Sequence, residues 1–223
     1  MQYPFVIAID GPAGAGKSTL GARLAARLDY LYFDTGVMYR ALTLAAMQAG
    51  LELHDQAAVE ALATRVVIEV TPPTHDDGRQ YTVLTDGNDV TWPIRSPEVE
   101  AQVSLVAKYP GVRRELVRQQ QAIGQRGRVV MVGRDIGTIV MPTAELKIFL
   151  ATSLDERTRR RLHEQRDLPH PPPVTQVRAS LARRDDLDQH VLAPAADAII
   201  LNTDGRSPDD EVAWIMDYLA RPT

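Results

Sequence analysis

The chain has no cysteine. That excludes disulfide staples and thiolate chemistry, and it suits a reducing cytoplasm, where the protein is expected to reside. No stretch reaches the roughly 18 consecutive apolar residues of a membrane span, so no membrane partner is expected. The N-terminus runs into a strand pattern with no basic n-region, so no cleavable leader is expected either. Lysine is scarce: of 25 basic residues only Lys17, Lys108 and Lys147 are lysine. A GC-rich genome accounts for much of that bias. The planar guanidinium also suits phosphate recognition, and both accounts can hold. The formal net charge is −4 and the sequence pI is about 5.7, which argues against a nucleic-acid binder with a broad basic face. The five histidines (His54, His75, His163, His170, His190) lack metal-ligand spacing and read as surface or loop residues. With 44% hydrophobic residues, the 223-residue chain can bury a sizeable core as one α/β domain over 1–223.

What is present is most concentrated near the N-terminus. Gly11-Pro12-Ala13-Gly14-Ala15-Gly16-Lys17-Ser18-Thr19 matches the G-x-x-x-x-G-K-[ST] phosphate-binding loop without a mismatch. A strand pattern, Val6-Ile7-Ala8-Ile9, precedes it, and Leu20, Leu24 and Leu28 follow at helical spacing. Glycines let the backbone N–H groups turn inward onto phosphate oxygens, and the helix N-terminus adds partial positive charge. Lys17 is expected to reach the β- and γ-phosphates of a nucleotide, and the Ser18 hydroxyl to ligate Mg²⁺. The bland reading is a Gly-rich strand-to-helix turn with no ligand.

Along the rest of the chain, strands are predicted at 30–33, 129–132, 146–150 and 198–201. Helices are predicted from 36 to about 48 and at 55–63, 97–107, 110–124, 154–165, 174–184 and 207–220. Between them, 66–70, 81–84 and 89–92 read as short β segments separated by turn signals, a small antiparallel insertion at approximately 60–96. No internal repeat is visible. The alternation predicts a parallel sheet with helices on both faces and ligand at the carboxyl ends of its strands.

Three further clusters carry chemistry. Asp34-Thr35-Gly36-Val37-Met38-Tyr39-Arg40 sits at a strand end; Thr35 either caps the following helix or donates to an anion, and Arg40 is either a surface arginine or a phosphate ligand. Gly133-Arg134-Asp135-Ile136-Gly137-Thr138 places an Arg-Asp pair between glycines. An internal salt bridge adds little net stability, so a ligand-facing pair explains it better, one residue binding phosphate and the other accepting from a base. Residues 151–190 hold eight arginines, no lysine and seven acids. They are either a solvated helical hairpin or a lid that closes arginines over a transferring phosphoryl group. In the lid reading, the arginines repel one another until phosphate arrives.

Taken together, GPAGAGKST (11–19), DTGVMYRA (34–41), IRSPEVEAQVSLVAKYPGVRRELVRQQQ (94–121), VVMVGRDIGTIVMP (129–142), LKIFLATSLDERTRRR (146–161), RRDDLD (183–188) and APAADAIILNT (193–203) resemble the bacterial cytidylate kinases, a branch of the nucleoside monophosphate kinases. The resemblance runs nearly end to end. It implies a P-loop fold with a β-rich nucleotide-binding insertion and a helical lid at approximately 154–188. It implies transfer of phosphate from ATP, with Mg²⁺, to CMP or dCMP in pyrimidine nucleotide metabolism, by a monomer. By similarity ATP lies on 11–19. The CMP phosphate is held by Thr35, Arg40 and Arg134, in a motif that includes Gly36 and Tyr39. Cytosine is read by Ser104, Arg113 and Asp135. Arg157, Arg160 and Arg161 match lid arginines, and Arg184 and Asp188 match a pair near the reacting phosphate and sugar. One departure stands out: Gln189-His190-Val191-Leu192-Ala193-Pro194 lacks an arginine that many members carry after the aspartate. Either the remaining arginines suffice or the acceptor binds more weakly. The alternatives are a related kinase with another acceptor (UMP/CMP, AMP or shikimate), a catalytically silent relative, and a nucleotide switch. No guanine-reading Asn-Lys-x-Asp is present for a GTPase.

Overall fold

The computed structural model describes residues 3–167 and 169–221. The chain folds as two compact units, Met1–Leu28 with Val130–Thr223, and Asp29–Val129. The first holds β1 (Val6–Asp10), α1 (Lys17–Leu28), β6 (Val129–Gly133), β7 (Leu146–Ala151), α6 (Leu154–Gln165), α7 (Val174–Asp188), β8 (Ile199–Asn202) and α8 (Pro208–Leu219). It carries four strands of the five-stranded main sheet, in the order β6-β1-β7-β8. β1 pairs parallel with β7, Ile7 opposite Leu146 and Asp10 opposite Phe149, and β7 pairs parallel with β8. All five residues of β1 are buried. Successive side chains of a strand point to opposite faces, so both faces of the sheet are covered, as an unbroken apolar run requires. Ser153 caps α6, and Ser207 with Asp210 forms a capping box on α8. No helix among the described residues is long and apolar enough to cross a membrane.

The second unit holds β2 (Leu31–Asp34), α2 (Gly36–Gln48), α3 (Gln56–Ala63), β3 (Ile68–Thr71), β4 (Thr82–Thr85), β5 (Asn88–Asp89), α4 (Pro97–Val106) and α5 (Pro110–Gly124). β3, β4 and β5 form a separate antiparallel sheet. Its third strand is shorter than the sequence pattern predicts, Asn88–Asp89 rather than 89–92. The Asp89 carboxylate accepts from Thr91 N, and Thr91 Oγ1 takes the N–H of Val83. Side chains therefore replace the ladder there. Arg79 anchors this piece. Its side chain is 6% exposed and donates to Asp77 and, at 2.6 Å, to Asp89.

α7 runs four residues past its predicted end at 184. Asp185 and Asp188, in the added turn, are tied to Arg157 and Arg134. All five histidines are exposed, as expected.

Candidate active site

The phosphate loop bridges β1 and α1 in the first unit. Gly11 has φ +152°, and a Cβ there would stand 2.9 Å from the Leu150 carbonyl oxygen, so only glycine fits. Gly16, at φ +95°, has the Arg160 guanidinium 3.1 Å from where a Cβ would be. Lys17 is buried and spans the loop, its Nζ donating to the Gly11 and Pro12 carbonyls at 2.7 Å each. An ammonium held this way is aimed before any phosphate arrives. Ser18 and Thr19 are exposed at the start of α1 and, with Gly14, Ala15, Gly16 and Lys17, line a cavity of about 700 Å³.

Two arginines of α6 clasp this loop. Arg157 is 4% exposed; Nη1 donates to the Ala13 carbonyl at 3.0 Å, Nε to that of Thr152, and the guanidinium grips the Asp185 carboxylate through both oxygens. Arg160 donates to the Ala15 carbonyl at 3.2 Å, to the Thr203 carbonyl at 2.5 Å and to Glu156. Arg161 pairs with Glu164, and Arg184 is exposed near the end of α7. The expected repulsion among these arginines is therefore not what the structure shows. Arg157, Arg160 and Arg161 each have a carboxylate, so the excess charge is neutralised locally.

Beyond β6, Arg134 donates to Asp188 at 2.7 Å, with both side chains 30% exposed. The internal partner of Arg134 is thus Asp188. The neighbouring Asp135 is buried. Asp10, which sequence reasoning missed, lies just before the phosphate loop. Its two carboxylate oxygens accept from the Ile136 and Gly137 N–H groups at 2.8 Å each. Burial raises its carboxyl above the ordinary range; the two backbone bonds oppose this, Asp135 adds to it and Lys17 opposes it. Asp10 thus ties the Gly-Arg-Asp segment to the phosphate loop. The only sequence signal was an aspartate ending an otherwise apolar strand.

In the second unit, Asp34 ends β2 and accepts from Gly36 N. Thr35 is buried at the N-cap of α2 but makes no side-chain capping bond, which removes the helix-cap account of it. Tyr39 and Arg40 follow half-buried in α2, and Arg40 pairs with Glu100 of α4. Ser104 lies in the last turn of α4 and Arg113 in the first turn of α5, flanking the Tyr109-Pro110 turn. Sequence reading also missed Tyr81 and Arg95. Arg95 stacks over the Tyr81 and Trp92 rings and donates to Tyr81 Oη at 3.2 Å. Burial and the charge of Asp34 push the Tyr81 phenol up to about 12 against Arg95 and Arg40, so the hydroxyl stays a donor.

Comparisons with known proteins agree in both sequence and fold. The cytidylate kinase family profile matches residues 7–221. A cytidylate kinase of Chloroflexus aggregans is 64% identical over 216 residues, covering 97% of this chain and 94% of that protein. One from Roseiflexus castenholzii is 54% identical over 221 residues, covering 99% and 95%. Among solved structures, a shikimate kinase from Bacteroides thetaiotaomicron matches with a TM-score of 0.51 at 13% identity, over 98% of this chain and 100% of that one. At that identity the likeness is one of fold.

Proposed function

The chain belongs to the cytidylate kinase family, and from that premise we propose that it moves the γ-phosphoryl group of ATP onto the phosphate of CMP or dCMP, as a monomer in cytoplasmic pyrimidine nucleotide metabolism. An oxygen of the acceptor phosphate attacks the γ-phosphorus while the bond to the β–γ bridging oxygen breaks, giving ADP and CDP or dCDP. Such a transfer needs little covalent help; it needs positioning and positive charge around the spreading oxygens.

The observation that carries the reading is Lys17 held across its own loop at the cavity mouth. A donor triphosphate would take that ammonium from the two carbonyls, replacing neutral acceptors with charged ones. Backbone N–H groups of 11–19 would cradle the phosphates. Arg134, Arg157, Arg160, Arg161 and Arg184 are the candidates for charge stabilisation, with α6 and α7 as the lid. No cluster of three or more His, Cys, Asp or Glu residues able to hold a metal occurs among the described residues. Mg²⁺ would therefore rest on the Ser18 hydroxyl, phosphate oxygens and water, which suits an ion that keeps much of its hydration. When bound, it would neutralise phosphate charge. On the acceptor side, Thr35, Gly36, Tyr39 and Arg40 would hold the CMP phosphate with Arg134. Ser104, Arg113 and Asp135 would read the base, and Asp188 the sugar. Cytosine offers an amine donor and the N3 and O2 acceptors, which a carboxylate, a guanidinium and a hydroxyl can satisfy.

The test is ADP release from ATP with CMP, dCMP, UMP, AMP and shikimate in parallel. CMP and dCMP should give the highest kcat/KM. Another acceptor in front, or no release with any, would overturn the reading.

A further inference from the structure

Glu211 lies in the first turn of α8 and is only 2% exposed. Neither capping nor the helix dipole demands that burial: Asp210 already closes the capping box, and Asp209 reaches out to Arg23. What Glu211 faces is Arg160, with Oε1 3.7 Å from Nη2. That is beyond hydrogen-bond reach, so the carboxylate acts on the guanidinium by charge. The same guanidinium is bound to the Ala15 carbonyl of the phosphate loop, to the Thr203 carbonyl after β8 and to Glu156 of α6. Arg160 and Glu211 both line the cavity walled by Gly14 to Thr19.

Resting on the reading that the donor triphosphate occupies this cavity, we propose that Glu211 is a positioning residue for the donor site: its carboxylate holds the Arg160 guanidinium on the phosphate loop, so that the arginine is in place when the nucleotide binds. A free arginine side chain samples many rotamers, and ordering it beforehand removes that entropy loss from the binding step. Removing the charge of Glu211 leaves the hydrogen bonds of Arg160 intact but loosens their hold.

The pair carries its own signature. Burial pushes the Glu211 carboxyl up to about 7, against Arg160 and Arg206, with Asp210 reinforcing the rise. Lys17, Arg159, Arg161, His163 and Glu164 are the other charged or titratable groups lining the same cavity. A raised folded value means protonation favours folding. The stability from this group is full below the ordinary 4.5 and is lost as pH rises through about 7. The hold on Arg160 has the opposite sense, because it needs the carboxylate and is present above about 7. A carboxyl that merely packs would show the first dependence without the second.

The experiment titrates ATP alone into the full-length protein by calorimetry from about pH 5.5 to about 8.5, and measures KM for ATP and for CMP, on wild type and Glu211→Gln. Wild-type ATP affinity should weaken about three- to tenfold as pH falls through neutrality. The Gln variant should show the weak affinity throughout and an unchanged KM for CMP, and should melt higher than wild type at alkaline pH. The wild-type-minus-variant difference cancels protonation of ATP itself and of every group the two proteins share. In an Arg160→Ala background, which leaves no guanidinium to hold, Glu211→Gln should change ATP affinity no further. A Gln variant that melts higher yet binds ATP as wild type does at alkaline pH would overturn the proposal. A wild type that releases ADP with CMP yet gives this result leaves the kinase reading standing; one that binds no ATP at all overturns both.

Discussion

Arg79 and Arg157 are the two most instructive arginines to set side by side. Their side chains are 6% and 5% exposed, and each grips aspartate through more than one nitrogen. Arg79 binds two carboxylates, Asp77 and Asp89, and Asp77 also accepts from the Trp92 indole. Arg157 binds one carboxylate, Asp185, and spends other donors on the carbonyls of Thr152 and of Ala13 in the phosphate loop. The first closes a scaffold on itself. The second couples a scaffold to the loop proposed to hold the donor phosphates. Burial and pairing alone do not mark a functional arginine; what its remaining donors touch does.

The largest effect should come from the residue that the second arrangement serves. Lys17→Ala should lower kcat by about a thousandfold or more, equivalent to roughly 4 kcal/mol of transition-state stabilisation, with an unchanged circular dichroism spectrum. Turnover within tenfold of wild type would remove Lys17 from the chemistry. Next, Arg157→Lys should destabilise by about 2–3 kcal/mol, less than a fully buried pair because Asp185 is 29% exposed. It should also lower kcat, since the Ala13 carbonyl loses its donor. Arg79→Lys should lower the thermal midpoint by roughly 5 °C while kcat below the melt stays within about twofold. If the two variants affect stability and turnover in the same ratio, the contrast between the arginines fails.

Asp135→Asn should raise KM for CMP about tenfold and leave KM for ATP unchanged, reflecting an amine left poorly matched in a dry pocket. Equal losses for both nucleotides would make Asp135 structural. The smallest effect is acidic. Arg79 and Thr91 hold the Asp89 carboxyl down at about 2. A depressed value contributes stability that is present above the ordinary 3.8 and lost as pH falls through about 2. Fluorescence of Trp92 in a Trp214→Phe background should therefore shift between those values, and Asp89→Asn should abolish the shift.

The phosphate loop was legible because it is nine consecutive residues whose function is a backbone conformation, and glycine spacing encodes that directly. The main-sheet strands were legible for a similar reason, since a strand covered on both faces must be apolar throughout. Arg79 was not legible. Its partners lie in a turn and on a short strand, and nothing in the sequence around it separates a buried arginine from a solvated one. Thr91 ended a strand by a side-chain bond that no periodicity reports. α7 outran its predicted end because Asp185 and Asp188 found arginines from elsewhere in the chain.

The sequence by itself determined the alternating α/β architecture, the nucleotide loop, the separate β-rich piece and the family, because these depend on local conformation and on motifs of contiguous residues. Only the tertiary structure decided which charges meet. Asp10 reaches the amides of Ile136 and Gly137, Asp185 holds Arg157, and Glu211 faces Arg160. Those pairings join residues from about 28 to 127 positions apart. Electrostatic attraction depends on distance and burial in space, and neither is written in the order of residues along the chain.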